Sequence, residues 1–156
     1  MRYRSCWATT RCRLLLADVN IYLCAFRQEG EHHFAYRTWL ADRLSGDESF
    51  GVSELVLSGF VRIVTNHRVY KESTRPEAAI EFCEVVLKAP SAVPLRPGPR
   101  HWAIFSERGR SVGARANTVP AAYLTALAIE HQATWVTLDQ GFVRFPCLRV
   151  EHALGR

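Results

Sequence analysis

A chain of 156 residues has the length of one ordinary domain, enough to bury about 70% of the surface its unfolded form exposes. Its composition, 48% hydrophobic and 22% charged, argues against disorder beyond the ends, and no apolar stretch approaches the ~20 residues of a membrane span. The formal net charge of +5 rests on 20 basic residues, of which only Lys71 and Lys88 are lysine. Because guanidinium pairs bidentately with phosphate, this balance leans towards a nucleic-acid or other polyanionic partner.

Five cysteines, at 6, 12, 24, 83 and 147, are an odd number with no C-x-x-C pair, which predicts reduced thiols in a cytoplasmic protein. The histidines have no zinc-ligand spacing and read as surface or capping residues. Residues 1 to 12 read as a loose extension before a domain spanning 13 to 156. Their arginines precede an apolar run, as in a secretory signal, but Asp18 and Asn20 interrupt that run.

The run itself, Arg13 to Ala17, lacks polar alternation and predicts a strand covered on both faces, with Asp18 at its exit. Asn20 is a candidate cap for a short helix from Ile21 to Phe26. After a polar loop, Phe34 to Leu44 predicts a second helix, stopped by Ser45-Gly46-Asp47, and Phe50-Gly51-Val52 a very short strand. Ser53 looks like the N-cap of a helix from Glu54 to Thr65 that is apolar almost all round and therefore expected to be buried. Glu54 then stands in a first turn, where the helix dipole favours a carboxylate.

Pro76 fits the first turn of a helix running to about Leu87. A strand is expected at Ala92 to Leu95 and a weaker helix from His101 to Arg115, whose Arg108, Arg110 and Arg115 are candidates for a phosphate track. Pro120 to His131 is a further helix. Trp135 to Thr137 is a strand followed by Asp139, the second acid delivered at a strand exit, and Leu148 to Val150 a final edge strand. Alternation of strands and helices predicts an α/β fold with one central parallel sheet.

Asp18, Glu54 and Asp139 are expected on one rim of that sheet. Clustered carboxylates repel unless a cation holds them, and oxygen-only ligands suit Mg²⁺ or Mn²⁺ in phosphodiester hydrolysis. Four segments now combine: Leu16-Ala17-Asp18-Val19-Asn20, Ser53 to Phe60, Val119 to Glu130 and Thr137 to Phe145. Taken in order, they resemble a PIN domain, specifically a VapC-type toxin, over about residues 14 to 153.

That resemblance implies a three-layer α/β/α fold and a metal-dependent ribonuclease. It also implies restraint by a VapB-type antitoxin and homodimerisation; no membrane association is expected, since no apolar stretch is long enough for a span. Carried over by position, Asp18, Glu54 and Asp139 match three members of the family's acidic quartet, as catalytic and metal-holding residues, while Asn20 and Thr137 match supporting polar positions. Where the family pattern reads Val-Pro-Asp-Ala, this chain has Val119-Pro120-Ala121-Ala122, so one acid is absent and activity is expected to be reduced or lost. The resemblance also implies an antitoxin helix docking beside the cleft, with Trp39, Tyr22 or Phe26 as candidate contacts. Arg144 joins the helix arginines as a candidate RNA contact. The alternative is a PIN-fold module that binds RNA or antitoxin without catalysis.

Overall fold

A computed structural model describes residues 13 to 155; the expected extension lies outside them. Five parallel strands form one sheet: β1 Leu15–Ala17, β2 Phe50–Val52, β3 Ala92–Pro94, β4 Thr134–Val136 and β5 Val150–Glu151. Parallel strands need crossovers, and pairs of helices supply three of the four. These are α1 Val19–Phe26 with α2 His33–Ser45, α3 Glu54–Val64 with α4 Pro76–Leu87, and α5 His101–Ser111 with α6 Thr118–Glu130. A 3₁₀ turn, Gln140–Arg144, follows β4.

The three inner strands are buried at every residue, as the unalternating apolar runs required. β3 and β5 are the edges. Strand order is β3-β2-β1-β4-β5, so the chain leaves β1 towards one edge and later returns past it to build the other side. Ligands in open α/β sheets bind in the crevice where strand order reverses, beyond the carboxyl ends. Here that point lies between β1 and β4, where Ala17 pairs with Val136.

Several local expectations shift. The first helix begins at Val19, so Asp18, not Asn20, is its N-cap, accepting a hydrogen bond from the Val19 N–H. Ser53 holds the N-cap position of α3, but its side chain makes no capping bond. Nor is α3 buried all round: Val56, Leu57, Phe60 and Val64 face the core, whereas Glu54, Leu55, Ser58 and Arg62 are exposed. The polar residues at 54, 58 and 62 recur every fourth position, which is one stripe of a helix. α5 ends at Ser111, and Gly113 takes φ 60°, a left-handed conformation that ends helices readily. Contrary to a surface role, His101 is buried, with Nε2 3.0 Å from the Tyr123 carbonyl oxygen.

Candidate active site

Asp18 directly follows β1 and is 6% exposed. Its Oδ1 accepts from the Val19 N–H at 2.7 Å, while Oδ2 accepts from Asn20 Nδ2 at 3.0 Å and from the Thr137 hydroxyl at 2.6 Å. Burial pushes the Asp18 carboxyl above its ordinary value, and the nearby charge of Asp139 adds to this; the bonds from Thr137, Val19 and Asn20 oppose the shift without cancelling it.

Thr137, the residue after β4, joins the two strand exits. Its hydroxyl oxygen donates to Asp18 and accepts from Asn20 Nδ2 at 3.1 Å and from the Asp139 N–H at 3.0 Å. One donor and two acceptor positions are all a hydroxyl has, so the group is saturated and fixed. Asn20 completes the link by accepting from the Leu138 N–H at 3.2 Å. Asp139 is exposed, and its Oδ1 accepts from the Gly141 N–H at 2.7 Å, capping the 3₁₀ turn.

Asp18, Asn20, Thr137 and Asp139 thus converge in one network. Glu54 begins α3 directly beyond β2, the neighbour of β1, but its carboxylate turns to Arg96 Nη2 at 2.9 Å, with both side chains largely exposed. Among the described residues, no three His, Cys, Asp or Glu side chains gather closely enough to hold a metal ion. Ala121 is the fourth residue of α6 and half-buried against the core.

The candidate arginines do not form one track. Arg108 is largely buried and pairs with Glu107 at 3.0 Å, whereas Arg110 and Arg115 are exposed and line a shallow groove with Phe105 and Val119. Arg144 lies in the 3₁₀ turn beside Asp139, its Nε donating to the Gly141 carbonyl at 2.8 Å. Two residues of this rim escaped the sequence reading. Gly141 carried a local sign, an Asp two positions ahead of a glycine; Arg96 carried none, since its partner is 42 positions away.

A divalent cation fits the donors present. They are hard oxygens without a thiolate or imidazole, and Asp139 Oδ2 has no protein partner among the described residues. Mg²⁺ is commonly held by one or two carboxylates, keeping water and substrate phosphate as its other ligands. Two carboxylates at the strand exits match that pattern.

Away from the acids, an apolar groove of about 770 Å³ runs between α1, α2 and α4, lined by Phe26, Leu40, Leu44, Phe82, Val85 and Val86 among others. Tyr22 is fully buried and cannot meet a partner. Trp39 is half-buried, edge-on to Phe50. Of the three expected contacts, only Phe26 lines the groove. Among the described residues, no helix is long and apolar enough to cross a membrane.

Residues 15–146 match the model of the PIN domain. Ribonuclease VapC43 of Mycobacterium tuberculosis is 42% identical over 141 residues, covering 90% of this chain and 96% of that protein. Ribonuclease VapC25 of the same organism is 35% identical over 136 residues, covering 87% and 96%. Among solved structures, DNA-bound VapBC from Salmonella typhimurium aligns with a TM-score of 0.63 over 92% of this chain and 99% of that one. At 13% identity the likeness speaks for the fold alone.

Proposed function

The chain belongs to the PIN domain family, and from that membership we propose that it is a VapC-like toxin, a divalent-metal-dependent endoribonuclease that hydrolyses phosphodiester bonds in RNA. The observation that carries the reading is the buried Asp18 carboxylate, linked through Thr137 and Asn20 to Asp139 at the reversal of strand order. A structural cap needs neither such burial nor a second acid tied to the same hydroxyl.

Asp18 and Asp139 would hold Mg²⁺ or Mn²⁺, with Glu54 joining once it leaves Arg96. Bound there, such an ion supplies water activation and neutralisation of phosphate charge. The protein's own contribution is preorganisation. Three donors fix the Asp18 carboxylate, Thr137 holds the Asp139 backbone, and the Gly141 N–H orients the Asp139 side chain. Asn20 and Thr137 are therefore positioning residues, acting through the acids. By the family pattern, Ala121 would occupy the position of a missing fourth acid. α6 hands the chain to β4 through three residues, so its amino end points back towards the carboxyl rim. Loss of that ligand would reduce or abolish cleavage.

A VapB-type antitoxin is the proposed partner, its apolar helix occupying the groove between α1, α2 and α4. Homodimerisation and a cytoplasmic location complete the reading; Cys24, Cys83 and Cys147 are free thiols. The pairing of Glu54 with Arg96 favours a second reading, a PIN-fold module that binds RNA or antitoxin without cleaving.

The deciding experiment compares the chain with its Ala121→Asp variant in chelator and in Mn²⁺. Two carboxylates about 4 Å apart repel by about 4 kcal/mol at an effective dielectric of ~20, before further screening, so another acid on this rim is unfavourable without a cation. The variant should therefore melt earlier without metal. An ion binding only the folded form returns about 2.7 kcal/mol at ~100 times its dissociation constant. Larger stabilisation by Mn²⁺, together with gained RNA cleavage, is the expected result. Identical metal responses with no cleavage by either form would leave the binding module standing.

A further inference from the structure

We propose that Arg144 is the phosphate-binding residue of this site, its guanidinium fork taking an RNA backbone phosphate that lies against Asp139. The proposal rests on the ribonuclease reading above and adds the residue that would hold the substrate.

Gly141 anchors both side chains. Its N–H donates to Asp139 Oδ1 at 2.7 Å, and its carbonyl accepts from Arg144 Nε at 2.8 Å. A Cβ built on Gly141 would stand 2.9 Å from Asp139 Oδ1 and 3.2 Å from Arg144 Nη2. Carboxylate and guanidinium therefore converge over the same face of one residue, which is passable because that residue lacks a side chain. They form no ion pair with each other, and among the described residues Asp139 Oδ2 and both Nη atoms of Arg144 have no hydrogen-bond partner in the protein.

Several arginines are engaged by carboxylates of their own neighbourhood, among them Arg96 by Glu54, Arg27 by Glu29 and Arg108 by Glu107. Arg144 instead uses Nε on a neutral carbonyl, which restrains the side chain and leaves the two terminal nitrogens for a bidentate contact. That planar fork matches the oxygen pair of a phosphate. A cation-binding carboxylate on one side and a free guanidinium on the other suit a phosphodiester, whose charge both a metal and an arginine can offset.

The test uses the full chain, in Mn²⁺ and in chelator, with a fluorescently labelled single-stranded oligoribonucleotide, its affinity measured over a range of salt concentrations. Arg144→Ala should weaken binding several-fold and make the log–log salt slope shallower by about 0.7, one phosphate contact on single-stranded nucleic acid. Arg144→Lys should restore the slope but only part of the affinity, since lysine keeps the charge without the fork. Gly141→Ala, which alters no charge, should weaken binding by crowding both side chains. Arg68→Ala, an exposed arginine in the loop after α3, serves as control and should change neither quantity. If the parent chain binds RNA while Arg144→Ala keeps its affinity and slope, the inference is overturned and the ribonuclease reading stands. If the parent shows no salt-dependent binding and Ala121→Asp cuts no RNA, both are overturned.

Discussion

Asp18 shows how one carboxylate serves fold and site together. As an N-cap it satisfies an N–H of α1, yet burial and the nearby Asp139 raise its carboxyl above the ordinary value of 3.8. The folded chain consequently keeps a proton that the unfolded chain releases. The stability tied to that proton is fully present below the unfolded value and is lost as pH rises through the folded one. A divalent ion held by Asp18, as proposed, would displace the same proton, so Mn²⁺ should bind more tightly as pH rises through this window. Calorimetry at acid and neutral pH, in buffers of different ionisation heat, would detect the released proton. Affinity flat across the window would exclude Asp18 as a ligand. The pairing of Glu54 with Arg96 gives a second expectation, because both side chains are more than half exposed and such surface pairs contribute about 0–1 kcal/mol. Arg96→Ala should leave the melting temperature almost unchanged yet tighten Mn²⁺ binding a few-fold by freeing Glu54. Unchanged metal affinity would show that Glu54 does not reach the ion.

Among the elements, β2 is the most exacting. The strand has three residues, and its central Gly51 sits where a Cβ would come within 2.9 Å of the Leu15 carbonyl oxygen and 2.6 Å of Leu95 Cδ1. Leu95 can give a little; backbone oxygen cannot. Gly51→Ala should therefore destabilise the protein by about 1–3 kcal/mol, the usual range for overpacking, despite alanine's modest size. A denaturant titration would measure it, and an unchanged midpoint would mean that β1 and β2 separate without cost. α3 makes the complementary point. Phe60, fully buried, meets Phe26 and Phe82 at centroid distances of 5.3 and 5.0 Å, so the helix is held through one aromatic face while Glu54, Ser58 and Arg62 remain in water. This one-sided packing leaves the first-turn carboxylate free to meet Arg96.

For the whole molecule, the acids and the apolar groove lie on separate features, which allows a partner and RNA to be distinguished. Val85 is 63% exposed on the groove wall of α4, so it has little part in the core. Val85→Glu should leave thermal stability within about 0.5 kcal/mol, as surface changes generally do. It should also abolish copurification with a co-expressed VapB-type antitoxin by placing a charge in an apolar contact. RNA affinity should remain within a few-fold of the parent. Retained complex formation would move the antitoxin contact off this groove.

The amino-acid sequence by itself determined most of the element order, because unalternating short strands at β1, β2 and β4, separated by helical periods, point to a buried parallel sheet. The same patterning delivers Asp18 and Asp139 to strand exits, and the ordered motifs identify the family. Side-chain partners are another matter. Nothing near Glu54 in sequence points to Arg96, and nothing near Asp18 points to Thr137; these pairs are 42 and 119 positions apart and meet only because the crossovers stack their strands. Arg108 likewise reads as a surface charge until α6 packs beside α5 and leaves its side chain 16% exposed. Local pattern specifies which elements form, since backbone hydrogen bonding and burial are satisfied within a few residues. Convergence of individual polar groups is decided by distant segments, and here the tertiary structure alone joined Asp18 to Asp139 through one hydroxyl while turning Glu54 to another partner.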